Sequence, residues 1–171
     1  MADQAVSELI AFEGPSKSGK TTLAKALSLA LRIPKWEPVR VSKHTPTEEQ
    51  VERFKYRTKA FPYFVLDELS LLRHIPLIIV DRHPVVSEIV YSRYKNRPSP
   101  IAEHAAEWLN WCRENFDTHL IYIKKPDAPE YPFYRRVMWS VCKYFDVHYI
   151  KWEDDFVTKL VDVIEWVRSK L

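Results

Sequence analysis

Residues Gly14, Pro15, Ser16, Lys17, Ser18, Gly19, Lys20 and Thr21 keep the spacing G-x-x-x-x-G-K-[ST], with Thr22 next. A loop of this kind surrounds a polyphosphate with backbone N–H groups, and the start of the following helix adds a partial positive charge. The expected binding set for ATP or GTP is Gly14, Ser16, Lys17, Ser18, Gly19, Lys20, Thr21 and Thr22. Lys20 is placed to reach the β- and γ-phosphates, and the Thr21 hydroxyl to ligate Mg²⁺. The chain has only two glycines, Gly14 and Gly19. An average protein of this length, at ~7% glycine, carries about a dozen. Both fall where the loop needs a residue without a Cβ.

A second constellation is Asp81-Arg82-His83, delivered by the apolar run Leu77-Ile78-Ile79-Val80. Asp81, at a strand end, is placed to hold Mg²⁺ directly or through water. Arg82 can clamp a phosphate with bidentate geometry. Phosphoryl transfer spreads charge over the equatorial oxygens and is served by Mg²⁺ together with several arginines.

The elements that carry these residues are legible from periodicity. Glu8 to Phe12 reads as a strand buried on both faces. A helix opens at Lys20, with Leu23, Ala26, Leu27, Ala30 and Leu31 at 3–4 spacing, and Pro34 stops it. Val39-Arg40-Val41 suggests a short second strand, Thr47 caps a polar helix to about Lys59, and Phe64 to His74 reads as helix with Phe64, Leu66, Leu69, Leu71 and Leu72 apolar. Leu77 to Asp81 is the clearest strand. Pro84 to Tyr94 is helical, and Ser99-Pro100 opens one further helix with Ile101, Ala105, Trp108, Leu109 and Cys112 on one face. Leu120 to Ile123 is the fourth strand, followed by a proline-rich loop over Pro126–Pro132. The next helix turns Tyr134, Val137, Met138, Val141, Cys142 and Phe145 inward. Val147 to Trp152 is the fifth strand. Asp154 or Asp155 caps a last helix whose apolar set is Phe156, Val157, Leu160, Val161, Ile164 and Val167.

Strands alternating with helices predict an α/β fold, a five-stranded parallel sheet with helices on both faces, and the Gly14–Thr21 loop adds the P-loop nucleoside triphosphate hydrolase class. Ligands in such sheets bind beyond the carboxyl ends of the strands. The phosphate loop and the Asp81-Arg82 pair both belong there.

At 171 residues, 46% hydrophobic and 29% charged, the chain reads as one soluble domain. A net charge of +3 suits an anionic partner without demanding nucleic acid. Neither a signal peptide nor a membrane span is expected, which places the protein in the cytoplasm with no membrane partner. Cys112 and Cys142 are far apart and are expected as buried free thiols.

Phe12-Glu13-Gly14 leading into the loop, together with Asp81-Arg82-His83 after an apolar strand, resembles the thymidylate kinases and their deoxynucleoside kinase relatives. Ser87 and Tyr91 keep that family's serine and aromatic after the Asp-Arg pair, with one extra residue. The resemblance implies the nucleotide-kinase type of that fold, and that Arg82 holds an acceptor phosphate while Asp81 serves the metal and phosphate site. It also makes Glu13, Phe64 (as base-stacking residue), Asp67, Ser87 and Tyr91 substrate-side candidates. A lid bearing arginines is implied as well, and the segment at about residues 126–136, with Arg135 and Arg136, is its candidate here. The catalytic set is then Lys20, Asp81, Arg82, Arg135 and Arg136. A homodimer is also implied, although the apolar faces are all consistent with an internal core. The family's Arg-Glu-Pro-Gly-Gly stretch is absent, and Glu68 stands where an arginine would follow Asp67. Glu37-Pro38-Val39 copies a deoxynucleoside kinase motif.

Three readings follow. The first is a nucleotide kinase that uses ATP and Mg²⁺ to phosphorylate a (deoxy)nucleoside monophosphate such as dTMP. The second is a kinase of a hydroxyl group, on a nucleoside or on a modified base in DNA; only under it is nucleic acid a partner. The third is a non-catalytic ATP-binding switch. A monophosphate oxygen is already anionic, whereas a hydroxyl profits from a carboxylate base. Glu13, Glu37, Asp67, Glu68 and Glu88 are all candidates for that base.

Overall fold

The structure is a computed structural model, in which residues 6–36 and 69–171 are described. The described elements are β1 (Ser7–Glu13), α1 (Lys20–Leu31), β2 (Lys35–Trp36), β3 (Leu77–Asp81), α2 (Pro84–Tyr94), α3 (Pro100–Glu103), α4 (Ala105–Asn115), β4 (Phe116–Lys124), α5 (Tyr131–Val141), β5 (Asp146–Lys151) and α6 (Phe156–Lys170). The five strands form one sheet in the order β2-β3-β1-β4-β5. Every pairing is parallel. The expected α/β architecture is therefore present. The expectations at Glu37–Val39, Val39–Val41, Thr47–Lys59 and Phe64–Glu68 lie outside the described residues.

Alternation along β1 sorts the core into two layers. Ile10 and Phe12 pack with Leu23, Ala24 and Leu27 of α1 and with Val163 and Val167 of α6. Leu9 and Ala11 face the opposite side, with Val85 and Ile89 of α2, Leu109 and Cys112 of α4, and Tyr134 and Val137 of α5. Helices thus cover both faces, as two-sided burial of parallel strands requires. Both layers leave the carboxyl ends of β1 and β3 side by side, with Phe12 opposite Asp81.

Several local expectations are corrected. The helix opened by Ser99 breaks at His104 (φ −117°, ψ 39°) into α3 and α4. Ser99 still caps it, its hydroxyl accepting from the Ala102 N–H at 3.3 Å. The loop after β4 ends at Glu130, and Pro132 lies inside the first turn of α5, where its missing N–H costs nothing. Cys142 is exposed rather than buried, its thiol donating to the Trp139 carbonyl at 3.0 Å, while Cys112 is buried. Leu71 is exposed, and on α6 so are Phe156, Val157 and Val161. That helix flanks β5, an edge strand of the described sheet, so only part of its wide apolar stripe has a partner among the described residues. On α1 Ala24 is buried while Ala30 is exposed. Asp155 caps α6, its carboxylate accepting from the Thr158 N–H and hydroxyl. No helix among the described residues is long and apolar enough to cross a membrane.

Candidate functional site

The loop between β1 and α1 needs both of its glycines, for different reasons. A Cβ on Gly14 would sit 2.9 Å from the Ile123 carbonyl oxygen and 3.0 Å from Ser18 Oγ, at φ +155°. Only hydrogen fits between the loop and β4. Gly19 meets nothing within 4 Å, but its φ of +85° is left-handed. It is the residue that opens α1, and that conformation costs a side-chain-bearing residue roughly 1 kcal/mol or more. Lys17 also adopts positive φ, at 61°.

Polar groups cluster around this turn. Lys20 is 4% exposed and its Nζ donates to the Pro15 carbonyl at 3.1 Å. Ser18 Oγ is buried without a hydrogen-bond partner among the described residues. Ser16, Lys17, Gly19, Thr21 and Thr22 face solvent at the mouth. Thr21 Oγ1 donates to Asp81 Oδ2 at 2.8 Å, so the first turn of α1 and the end of β3 share one hydrogen bond. Lys35 of β2 lies 3.7 Å from the same carboxylate oxygen. Asp81 is fully buried, and its Oδ1 has no hydrogen-bond partner among the described residues. A hydroxyl and a carboxylate with a spare oxygen are hard donors of the kind Mg²⁺ takes, so Thr21 and Asp81 fit that ion.

Arg82 follows with φ 78°, and its N–H donates to the Phe12 carbonyl at 3.0 Å. A long side chain in left-handed backbone is uncommon and persists where its surroundings impose it. Here the guanidinium lies 4.9 Å from the centre of the Tyr91 ring. It also reaches Ser87 Oγ at 3.5 Å, while Nε is buried without a hydrogen-bond partner among the described residues. Cation–π contact and burial together fix the fork. Ser87 and Tyr91, the two substrate-side candidates that follow the Asp-Arg pair, thereby lie against Arg82.

Glu13 lies on the other face of the sheet from Asp81 and is fully buried. Its Oε1 accepts from the His83 N–H and its Oε2 from the Tyr134 hydroxyl, each at 2.8 Å. Burial raises its pKa to about 7, against the pull of Arg82. His83 Nδ1 accepts from the Val85 and Val86 N–H groups and so caps α2. Burial pushes the His83 pKa down to about 3, keeping the ring neutral. Tyr134 stacks on Tyr122 with centroids 5.6 Å apart. Tyr91 meets Tyr134 edge-on at 6.2 Å. The abundant aromatic residues thus form a wall beneath Arg82.

Two of the expected carboxylate bases are already engaged. Glu13 has both oxygens bonded, and Glu88 is held by Arg97 in a two-point pair at 2.5 and 2.6 Å. Phe64 and Asp67, with Glu37 and Glu68, lie outside the described residues. Arg135 and Arg136 are exposed on α5, not gathered into the buried cluster. With Tyr131, Pro132 and Trp139 they line a surface groove of about 470 Å³. Sequence reasoning missed Tyr134 as a site residue, placing it only in the core. It also missed Lys35, although a lysine directly after the helix-stopping Pro34 and opposite the Asp81 strand was a usable signal.

No protein-family model matches the sequence, and no curated protein matches it. Solved structures do. The chain is similar to deoxyadenosine kinase from M. mycoides with bound dATP, at 17% identity and a TM-score of 0.58, over 94% of this chain and 99% of that one. It is similar to thymidylate kinase from Ehrlichia chaffeensis at 18% identity and a TM-score of 0.57, over 95% and 99%. It is also similar to the YorR protein from Bacillus subtilis in complex with phosphorylated GDP, at 17% identity and a TM-score of 0.59, over 95% and 96%. The fold is that of the P-loop nucleoside and nucleotide kinases.

Proposed function

We propose that the chain is a kinase dependent on ATP and Mg²⁺ that transfers the terminal phosphoryl group of ATP to a (deoxy)nucleoside monophosphate, with dTMP as the first acceptor to test. The observation that carries this reading is Arg82. Arg82 is 7% exposed, its guanidinium braced on Tyr91, and its Nε has no hydrogen-bond partner among the described residues. A buried cation with a spare donor is suited to a phosphate dianion. Lys20 and the loop N–H groups would hold the ATP phosphates, and Thr21 and Asp81 the Mg²⁺. When bound, the ion supplies charge neutralisation at the phosphates. The acceptor oxygen forms its bond to the γ-phosphorus as the bridging oxygen leaves with ADP, and the anionic acceptor needs no base. That agrees with Glu13 and Glu88 both being engaged. At least one of Arg135 and Arg136 would neutralise the transferring group, with residues 126–136 acting as the lid of a single domain.

A second reading, transfer to a nucleoside hydroxyl, is favoured by the likeness to a deoxyadenosine kinase. It needs a carboxylate from among Glu37, Asp67 and Glu68. A coupled phosphoryl-transfer screen with ATP and Mg²⁺, across nucleosides, nucleoside monophosphates and DNA, tests both. Activity on monophosphates alone is expected. Lys20→Ala should lower it by about two to four orders of magnitude, the scale of a lost transition-state cation contact. Activity on nucleosides alone would replace the first reading with the second.

A further inference from the structure

At the opposite end of β1 from the phosphate loop, Glu8 of β1 meets Asp117 and His119 of β4. Glu8 pairs with Asp117, and Ile10 with His119, in the strand register. Alternation puts Asp117 and His119 on the face that carries Ile121 and Ile123 further along β4. One donor atom from each of the three side chains lies within 4.8 Å of the others. His119 Nε2 is 3.7 Å from Glu8 Oε1 and 3.9 Å from Asp117 Oδ2.

The imidazole is the informative member. His119 is 6% exposed, and neither ring nitrogen has a hydrogen-bond partner among the described residues. Buried polar groups are nearly always satisfied, so an orphaned one aimed at two carboxylates calls for an explanation. The separations are too long for direct hydrogen bonds. They are close to what one ion imposes: with bonds of ~2.1 Å and ligand–metal–ligand angles of ~110–130°, donors sit about 3.4–3.8 Å apart. Trp166 of α6 covers the ring edge-on at 6.2 Å. Asp117 is 63% exposed, which leaves a path in from solvent.

We propose that Glu8, Asp117 and His119 form a binding site for a divalent transition-metal ion of the zinc type, distinct from the phosphate-loop site, with water completing the coordination. One imidazole nitrogen beside two carboxylate oxygens suits Zn²⁺ or Co²⁺ better than Mg²⁺ or Ca²⁺, which prefer oxygen alone. The site is about 16 Å along β1 from Glu13, at ~3.3 Å per residue. Its ion would tie the start of β1 to β4 and take no part in phosphoryl transfer.

The test is titration of chelator-treated protein with Zn²⁺ by calorimetry and with Co²⁺ by visible absorbance. Asp81→Asn serves as a background that weakens divalent binding at the phosphate loop. One equivalent of Zn²⁺ should bind at micromolar concentration or tighter, equally in the parent and in Asp81→Asn. Asp117→Asn and Glu8→Gln, singly, should each weaken it at least tenfold, the lower end of what losing even an outer partner causes. Both side chains are solvent-accessible, so these variants keep the fold while testing the ligand set. Circular dichroism checks that they do. The absence of Zn²⁺ binding, or binding unchanged in the Glu8→Gln/Asp117→Asn double variant, overturns the proposal and leaves the three side chains as a polar cluster that holds no metal.

Discussion

Tyr134 donates its hydroxyl hydrogen bond to Glu13 at 2.8 Å across 121 residues of chain, and both side chains are completely buried. The bond fastens α5 to the last residue of β1, directly before the phosphate loop. Through the other Glu13 oxygen it also reaches the His83 N–H at the start of α2. Tyr134→Phe removes the donor and leaves a buried carboxyl oxygen unpaired. We expect a loss of about 1–3 kcal/mol in urea unfolding, the usual penalty of an unsatisfied buried acceptor. Tyr122→Phe is the control, since its buried hydroxyl has no hydrogen-bond partner. It should be close to neutral.

The pH dependence of stability combines two opposing groups. His83 has its pKa lowered by burial from 6.5 to about 3, so its contribution is present above pH 6.5 and is lost as pH falls towards 3. Glu13 has its pKa raised by burial from 4.5 to about 7, so its contribution is present below pH 4.5 and is lost as pH rises towards 7. Each effect is on the order of 3–5 kcal/mol by linkage. Between about pH 4.5 and 6.5 the two slopes oppose each other and should largely cancel. Glu13→Gln should then make stability rise with pH through that window relative to the parent. His83→Asn, which keeps a capping oxygen, should make it fall. Urea midpoints measured at half-unit pH steps decide it. A Glu13→Gln variant with the parent's pH profile would show that Glu13 stays ionised in the folded protein.

The parts of the site that were legible in the sequence are those set by short spacing. Gly14 to Thr21 and Asp81-Arg82-His83 are contiguous, and the strands that deliver them are unbroken apolar runs. Parallel pairing then brings both strand ends together without further information. Tyr134 was not legible as a site residue, because its partner is distant in sequence and a tyrosine on an apolar helix face looks like core. Glu13 and Glu88 could not be separated from free carboxylates until His83, Tyr134 and Arg97 were seen to occupy them. The exposure of Val157 and Val161 was hidden for another reason. An apolar stripe records what a helix offers, while β5 as the sheet edge limits what there is to cover it. The break at His104 left no proline or glycine to mark it.

The two glycines should respond differently to alanine. At Gly14 the new Cβ would press on the Ile123 carbonyl at 2.9 Å, which is backbone and part of β4. Relief would require the loop to move away from the strand. At Gly19 there is open space, and only the left-handed φ of +85° is penalised. Gly19→Ala should cost about 1–2 kcal/mol in unfolding free energy. Gly14→Ala should cost more than Gly19→Ala and should also weaken ATP binding, read by calorimetry. Equal stability losses in the two variants would mean that the β1–α1 loop yields freely at Gly14.

Arg82 separates backbone strain from side-chain function, because its φ of 78° is one that a glycine adopts without penalty. Arg82→Ala and Arg82→Gly remove the same guanidinium, the contact with Tyr91 and the reach to Ser87. Both should therefore lose the same binding function. If Arg82 holds the acceptor phosphate, each should weaken dTMP binding by roughly 2 kcal/mol or more, as expected for a charge-assisted contact in a partly desolvated site, with ATP binding hardly changed. The two variants should differ in stability, with Arg82→Gly the more stable by about 1 kcal/mol, since alanine keeps a Cβ in left-handed backbone and glycine does not. Calorimetric titration of ATP and dTMP separately, beside urea unfolding of both variants, reads the two effects independently. A parallel fall in ATP affinity would assign the guanidinium to the ATP phosphates. Unchanged dTMP binding would turn the acceptor towards a hydroxyl.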